Sequence, residues 1–260
     1  MKSILFSILF PIAFLNCAFA SQQKKIIVCT EPGYKPFEML DSTGHLYGYE
    51  IDILRKFSKN EQYNINFKTM PFSELIPNLI KNDDCDIVAA ALGSDAERKK
   101  TLLLSDPIYT TNFGFLSRAK DKDRFSNYND IDKKTVIIDV EKGTQSEQYA
   151  KTNFPNATVV SYAKNNMPIE ALLQKKADIY IDDNIMLDVI QRANPQNLYL
   201  LPQFKVNNIT DNSYGIIIAF AKRNAGLKNE FNAFLGSLQL NGHLQDMQNK
   251  YFKSKASVEH

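Results

Sequence analysis

The sequence predicts an α/β protein built from mainly parallel sheets flanked by helices. The first observation is the order strand, helix, strand, helix, strand, helix over residues 25–101, which is typical of a parallel sheet. The second is the unbroken apolar run at residues 87–92, as expected for a central strand covered on both faces. The third is that residues 135–192 repeat this plan, which indicates two similar α/β lobes.

The elements follow from short apolar or alternating runs for strands and from helical spacing of apolar residues for helices. Strands are predicted at residues 25–29, 64–70, 87–92, 113–116, 135–140, 157–162, 177–183 and 214–220. Helices are predicted at residues 51–57, 72–80, around 98, 145–149, 167–175, 184–192, 227–240 and 244–252. The charged segment 121–134 is predicted to be an exposed connector.

Composition and the N-terminus restrict the class of protein. The 260 residues suffice for one large or two modest domains, and 31 basic against 29 acidic residues argue against nucleic acid as a partner. Residues 1–20 are predicted to be a signal peptide, with Lys2, an apolar run at 4–15 and Ala-Phe-Ala at 18–20. We therefore expect a soluble exported protein that begins at Ser21. Cys17 leaves a lipid anchor as the alternative, although Asn16 makes a poor lipoprotein signal.

Two cysteines, Cys29 and Cys85, remain in the mature chain. An exported protein can pair them. However, Cys29 lies near the end of one predicted strand and Cys85 at the start of another, which in parallel neighbours is too far for a disulfide. The sequence therefore predicts two buried free thiols.

The segment after the strand at 87–92 is a candidate binding site. Gly93 ends the apolar run, Ser94 or Asp95 is a plausible helix cap, and Arg98 falls in the first helical turn. Ligands of open α/β sheets bind beside the carboxyl ends of strands, and a guanidinium beside unpaired helix N–H groups suits a carboxylate or phosphate. The alternative is a capped surface helix with a solvated Arg98.

Motifs of catalysis and metal binding are not found in the sequence. His45, His243 and His260 are scattered, unlike the clustered ligands of a metal site. There is no nucleophile elbow, phosphate loop or zinc helix motif. We therefore predict no catalytic residue, no metal and no cofactor.

Five motifs occur in order over nearly all of residues 24–252. They are Thr-Glu-Pro-Gly-Tyr-Lys-Pro-Phe at 30–37, Gly-His-Leu-Tyr-Gly-Tyr-Glu-Ile-Asp at 44–52, Leu-Ile-Pro-Asn-Leu at 75–79, Glu-Arg-Lys-Lys at 97–100 with Ser-Asp-Pro-Ile-Tyr at 105–109, and Gly-Thr at 143–144. With these motifs the mature chain resembles the periplasmic solute-binding proteins of polar amino-acid ABC transporters, family 3. It is most similar to the branch that binds lysine, arginine and ornithine, or histidine.

That resemblance implies a two-lobed periplasmic binding protein fold of type II, with the ligand in the cleft and closure at two hinge crossings, near residues 109–112 and 219–222. Lobe one is expected at 24–110 with 221–260, and lobe two at 111–220. The resemblance further implies a monomer in the periplasm that binds a free amino acid and delivers it to an inner-membrane ABC permease. It implies a binding protein and not an enzyme.

The resemblance also implies a set of ligand-binding residues. They are Glu31, Tyr34, Phe72, Ala91, Gly93, Arg98, Thr144, Gln145 and Asp183. Arg98 is expected to grip the ligand α-carboxylate with Thr144 at a helix N-terminus, helped by Gln145, and Asp183 to pair with the α-ammonium. Glu31 is expected at the far end of the ligand, which favours a cationic amino acid such as arginine, lysine, ornithine or histidine.

Three points within this site stay open. Asp182 either joins Asp183 or is a solvated acid at the strand end. Tyr34 and Phe72 are either walls of the ligand site or ordinary core aromatics. Relatives carry serine or threonine hydroxyls where this chain has Ala91 and Gly93, so backbone groups at Ala91, Gly93 and Ser94 are the expected substitutes.

Two other functions fit the same fold. One is a dehydratase acting on cyclohexadienyl acids such as arogenate, with Glu31, Asp183 or Glu147 as proton donor. The other is a sensor module, which is less favoured because no further domain or spanning helix follows Phe252. The sequence does not decide which amino acid is bound or name the permease.

Overall fold

The computed structural model describes residues 23–81, 84–204 and 215–253. The predicted signal peptide and Cys17 lie outside these residues. The strands are β1 (Lys25–Thr30), β2 (Met39–Leu40), β3 (Leu46–Tyr47), β4 (Asn64–Thr69), β5 (Ile87–Val88), β6 (Leu103–Leu104), β7 (Tyr109–Thr110), β8 (Phe113–Arg118), β9 (Ile137–Glu141), β10 (Thr158–Tyr162), β11 (Ile179–Asp183), β12 (Leu198–Leu200), β13 (Gly215–Ile216) and β14 (Ala219–Phe220).

Helices connect these strands. The α-helices are α1 (Tyr49–Glu61), α2 (Phe72–Lys81), α3 (Ala96–Thr101), α4 (Tyr128–Ile131), α5 (Gln145–Asn153), α6 (Met167–Leu173), α7 (Asn184–Ala193), α8 (Ala225–Leu240) and α9 (His243–Gln248). Short 3₁₀ helices lie at Ala119–Arg124, Pro202–Phe204 and Lys222–Asn224, and a π-helical turn at Asn249–Lys253. None of the helices in the described ranges has the length and apolar character needed to cross a membrane.

Two five-stranded sheets form the framework. The first has the order β4-β1-β5-β14-β6 and the second the order β10-β9-β11-β8-β12. In each sheet the first three strands are parallel and the remaining two add antiparallel pairings. The mainly parallel α/β architecture with two similar sheets, predicted from the repeated plan, is confirmed.

The last helices return to the first sheet. Phe231 of α8 packs edge-on against Phe57 of α1, with 5.3 Å between ring centroids, and also contacts Phe220 of β14. Phe252 packs on Tyr109 at 4.2 Å between centroids. The apolar spacing of α8 therefore buries its core face against the same sheet as α1.

The predicted strand at 87–92 is much shorter in the structure. Only Ile87–Val88 pairs in the sheet, and Ala91 adopts a left-handed conformation with φ of 45°, which an alanine enters at a cost of about 1–2 kcal/mol. The apolar residues that follow Val88 are buried without a regular ladder. The chain therefore leaves the sheet early and turns where a ligand site is expected.

Two further expectations about secondary structure were wrong in detail. The segment 121–134 is not simply an exposed connector, because Phe125 and Ile131 are fully buried in a cluster with Phe115 of β8. The strand predicted at 214–220 is divided into β13 and β14. β14 lies in the first sheet, whereas β13 pairs with β7 outside both large sheets.

The prediction of two free thiols is contradicted. Cys29 and Cys85 form a disulfide, with 5.7 Å between their Cα atoms. The prediction assumed that Cys85 begins the strand, but β5 starts only at Ile87 and Asp86 forms a bend. The distance argument depended on a straight strand from Cys85 onwards, and the bend at Asp86 removes it.

Candidate functional site

A cleft opens where strands of both sheets have their carboxyl ends, the position at which open α/β sheets bind ligands. Its lining comes from the chain at or after β1, β4, β5, β9, β10 and β11, and it encloses about 400 Å³ of space, counting its mouth. The lining residues are Glu31, Tyr34, Glu38, Phe72, Ala90, Ala91, Gly93, Arg98, Glu141, Thr144, Gln145, Ser146, Asn165, Asp182 and Asp183. All nine residues predicted from the sequence are among them, while their roles in binding stay predictions.

The loop after β1 is held against α1. The Tyr49 and Glu50 N–H groups at the start of α1 donate to the Pro36 and Phe37 carbonyl oxygens, at 3.0 and 3.2 Å. Gly48 precedes them at φ of 136°, and a Cβ there would overlap the Phe37 carbonyl. Because these bonds use the unpaired N–H groups of a helix N-terminus, they fix the loop that carries Glu31, Tyr34 and Glu38.

Arg98 is buried, with 7% of its surface exposed. Its Nη1 donates to the Gly93 carbonyl at 2.6 Å, its Nη2 to the Gly143 carbonyl at 3.3 Å, and its Nε lies 3.4 Å from Asp95 Oδ2. Asp95 also caps α3 by accepting from the Arg98 N–H at 2.7 Å. The alternative of a solvated Arg98 is therefore wrong, and the guanidinium is oriented into the cleft by groups from both halves of the chain.

Asp182 and Asp183 end β11 side by side, and both line the cleft. The Tyr34 hydroxyl oxygen lies 2.7 Å from Asp182 Oδ1 and 3.0 Å from Asp183 Oδ2. Asp182 also accepts from the Tyr180 hydroxyl and from the Asp183 N–H. With 4% exposure and donors to both oxygens, Asp182 is not a solvated acid; it is the acceptor that holds Tyr34 and Tyr180 in place.

Tyr34 and Phe72 are both walls of the cleft and core aromatics, the two alternatives left open by the sequence. Each lines the cleft, and each also packs with a hydrophobic core cluster. The Phe72 N–H donates to Glu31 Oε2 at 2.8 Å, so the start of α2 helps to place the Glu31 carboxylate.

Glu31 meets Glu141 across the cleft, and the two carboxyl groups are hydrogen-bonded to each other. Burial, together with the charge of Glu31, raises the pKa of Glu141 to about 10. Burial also raises the pKa of Glu31, although hydrogen bonds from Glu141 and from the Phe72 and Asn165 N–H groups oppose this effect. Two carboxylates in contact repel, so the pair is stabilised by one shared proton.

Two more acids are buried beside the cleft. Glu38 lines it at 1% exposure, and burial with the charge of Glu50 raises its pKa well above the usual range. Glu50 is fully buried, its Oε2 accepts from the Ala91 N–H at 3.1 Å, and burial raises its pKa to about 8. The site is therefore rich in acids that are costly to ionise without a positive partner.

The N-terminus of α5 forms the opposite wall. Thr144 is its N-cap: its Oγ1 accepts from the Glu147 N–H at 3.2 Å and donates to the Glu141 carbonyl at 2.7 Å. The Gln145 amide nitrogen reaches the Ser94 carbonyl at 3.0 Å and Asp95 Oδ2 at 3.2 Å. A helix N-terminus with this orientation favours an anionic group in the cleft.

The backbone groups expected to replace the missing hydroxyls are largely committed. The Ala91 N–H donates to Glu50, and the Ser94 N–H donates to the Gly215 carbonyl at 3.0 Å. The Gly93 carbonyl accepts from Arg98. These groups therefore shape the site through Glu50 and Arg98, and ligand binding by the backbone of Ala91, Gly93 and Ser94 stays a prediction.

Six lining residues were missed or left undecided by the sequence reasoning. They are Glu38, Ala90, Glu141, Ser146, Asn165 and Asp182. The rule that ligands lie at the carboxyl ends of strands applies directly to Glu141, the last residue of β9, but it was applied only to the segment after the strand at 87–92. Asn165 carries no local signal, because its position depends on the distant Pro32, whose carbonyl accepts from its Nδ2 at 3.3 Å.

Glu147, a candidate proton donor for an enzyme, does not line the cleft. Burial opposes its ionisation, but hydrogen bonds from Lys151, Ser161 and the Gly143 N–H outweigh this and lower its pKa. A carboxyl group with a lowered pKa is a poor general acid.

Two similar sheets with paired connecting strands and a polar cleft between them define a periplasmic binding protein fold of type II. The chain belongs to the bacterial extracellular solute-binding proteins, family 3, whose family model matches residues 26–254. It is therefore a solute-binding component of transport and not an enzyme, which confirms the predicted class.

Named relatives agree with this assignment. The chain is 30% identical to an arginine-binding periplasmic protein of Mannheimia haemolytica over 255 residues, 98% of this chain and all of the relative. It is 25% identical to the lysine/arginine/ornithine-binding periplasmic protein of Escherichia coli over 257 residues, 96% of each chain. A solved amino acid ABC transporter substrate-binding protein from Streptococcus pneumoniae, bound to L-arginine, matches with a TM-score of 0.81 at 22% identity, covering 91% of this chain and 97% of that chain. This last likeness shows the fold.

Proposed function

We propose that this protein captures a cationic amino acid, with arginine as the first candidate, and delivers it to an ABC permease. The observation that carries the proposal is the charge of the cleft: five carboxylic acids line it (Glu31, Glu38, Glu141, Asp182 and Asp183) against one guanidinium, that of Arg98. An amino acid with a neutral side chain adds no net charge to this site. A cationic one supplies the positive partner that the buried acids need. The relatives named for binding arginine support the same choice.

Each end of the ligand has a proposed partner. Arg98 and the N-terminus of α5 bind the α-carboxylate, because they are the positive groups of the cleft. Asp183 binds the α-ammonium, because its carboxylate ends β11 in the lining of the cleft. Glu31 takes the distal cation, and Tyr34 and Phe72 enclose the aliphatic part of the ligand.

The lobes, the location and the oligomeric state are part of the proposal. We propose lobes at 24–110 with 217–260 and at 111–216, connected where β7 and β13 pair. The second crossing then lies near Gly215–Ile216 instead of 219–222, since β14 is already a strand of the first sheet. We further propose that residues 1–20 are a cleaved signal peptide and that the protein acts as a periplasmic monomer.

A ligand screen tests the proposal. The mature chain from Ser21 is heated with each of the twenty amino acids, ornithine, citrulline and cystine, and the melting temperature is recorded. A tight ligand raises it by mass action. We expect the largest shifts from arginine, lysine, ornithine or histidine, confirmed by calorimetry. A larger shift from a neutral or acidic amino acid would refute the cationic preference.

A further inference from the structure

We propose that Glu141 forms, with Glu31, a two-carboxyl clamp for the positive end of the ligand, and that the bound cation displaces a proton that the two acids share. This inference rests on the proposed function and adds a residue and a proton step to it. It predicts that ligand capture is coupled to proton release.

The geometry places Glu141 in the binding space. It ends β9 at the cleft, with 2% of its surface exposed. Its Oε1 has no hydrogen-bond partner among the residues that the structure describes. A buried carboxyl oxygen without a donor is costly, and in a cleft it is a position where a ligand N–H completes the bonding.

The two acids differ in their surroundings. Glu31 accepts from the Phe72 and Asn165 N–H groups, which stabilise its ionised form. Glu141 has no such backbone donors among the interactions that shift its pKa, and burial beside Glu31 keeps it protonated near neutral pH. The shared proton therefore resides on Glu141, whose O–H donates to Glu31.

Other charged groups around the pair leave this assignment in place. Asp182 interacts electrostatically with Glu141, and Glu38 with both Glu31 and Glu141. Negative charge on these neighbours favours the protonated state of the pair. The positive charge of Lys164 has the opposite effect, because it lowers the pKa of Glu31. It is the last and smallest of the causes that shift this pKa. A guanidinium between the two carboxyl groups presents N–H donors to both in a planar fork, and its charge makes ionised Glu141 favourable. The Glu141 proton then leaves to solvent, so one cation enters and one proton departs.

Calorimetry in buffers of different ionisation enthalpy counts the protons released. We expect arginine to release about one proton more from the wild type than from Glu141→Gln at pH 7, whereas citrulline, its neutral isostere, releases none from Glu141. By linkage, arginine affinity should rise with pH between pH 6 and pH 8. For each pH unit the rise should be about tenfold larger in the wild type than in Glu141→Gln. Glu61→Gln, an exposed acid on α1, is the matched control and should behave as wild type.

Equal proton release and equal pH slopes in wild type and Glu141→Gln would overturn the inference while leaving a cationic ligand in place. The same loss in Glu61→Gln would overturn it too, since the effect would not belong to the clamp. If the Glu141 variant does not fold, the arginine and citrulline comparison on wild type decides alone, and equal release from both contradicts the clamp. Failure of all four cationic amino acids to bind would refute both the proposed function and the clamp.

Discussion

Removing the Cys29–Cys85 disulfide should strongly destabilise the protein without changing its fold. The bond joins residues 56 apart in sequence, and closing a loop of that length in the unfolded chain corresponds to roughly 4 kcal/mol of unfolding free energy. Cys29 lies in β1 and Cys85 lies just before β5, the strands that lead to Glu31 and to the Arg98 segment. The bond therefore constrains the part of the first sheet from which the site is built.

Urea unfolding of the mature chain from Ser21, with and without a thiol reductant, measures this contribution. We expect the reductant to lower the unfolding free energy of the wild type by several kcal/mol. The double variant with Cys29→Ala and Cys85→Ala should be less stable and should not respond to reductant. Alkylation of the unfolded protein without reductant provides an independent check. Labelling of both cysteines, or a wild-type stability that reductant does not change, would refute the reasoning.

Three further predictions concern the site. Arg98→Ala should abolish arginine binding in calorimetry, and Arg98→Lys should restore only part of it, because each hydrogen bond to a charged group contributes about 1.5–3 kcal/mol and lysine lacks the planar fork; retained affinity in the alanine variant would exclude the carboxylate role. Glu31→Gln should weaken arginine and lysine binding much more than glutamine binding, and equal effects on all three would contradict its place at the distal cation. Glu50 has a pKa of about 8 in the folded protein against an ordinary 4.5, so the folded state binds more protons and stability should fall as pH rises from about 4.5 to about 8. Glu50→Gln should flatten that fall by about 1 kcal/mol per pH unit in urea unfolding, and an unchanged slope would show that Glu50 does not hold this proton.

The sequence predicted elements correctly where a local pattern of apolar residues agrees with the order of strands and helices along the chain. Alternating and continuous apolar runs located β1, β4, β9 and β11, and the carboxyl-end rule led to Arg98. The bend at Asp86 and the left-handed Ala91 were not predictable, because each depends on contacts made by other parts of the chain. The disulfide was mispredicted for the same reason, since one bend before β5 changes which residues are neighbours.

The acids of the site show a second limit. Glu50 lies in the motif at 44–52 and Glu38 directly follows the motif at 30–37. Neither was singled out, since nothing local indicates that a glutamate is buried. Burial raises the pKa of both groups, and the charge of Glu50 raises the pKa of Glu38 further. A group of weakly solvated acids therefore exists only once the loop after β1, α1 and the end of β9 have come together.

On the proposed function, this group of acids connects ligand charge to closure of the cleft. Glu31 and Glu38 belong to the half of the chain that builds the first sheet, and Glu141, Asp182 and Asp183 to the half that builds the second. Bringing them together in the ionised state is opposed by like-charge repulsion and by desolvation, both of which grow as water leaves the cleft. A cation held between the two halves reverses the sign of that interaction, and it does so most when the cleft is closed. A ligand shifts a conformational equilibrium only by its difference in affinity for the two states. Here the positive side chain supplies that difference, so a neutral isostere should bind with less closure as well as with lower affinity.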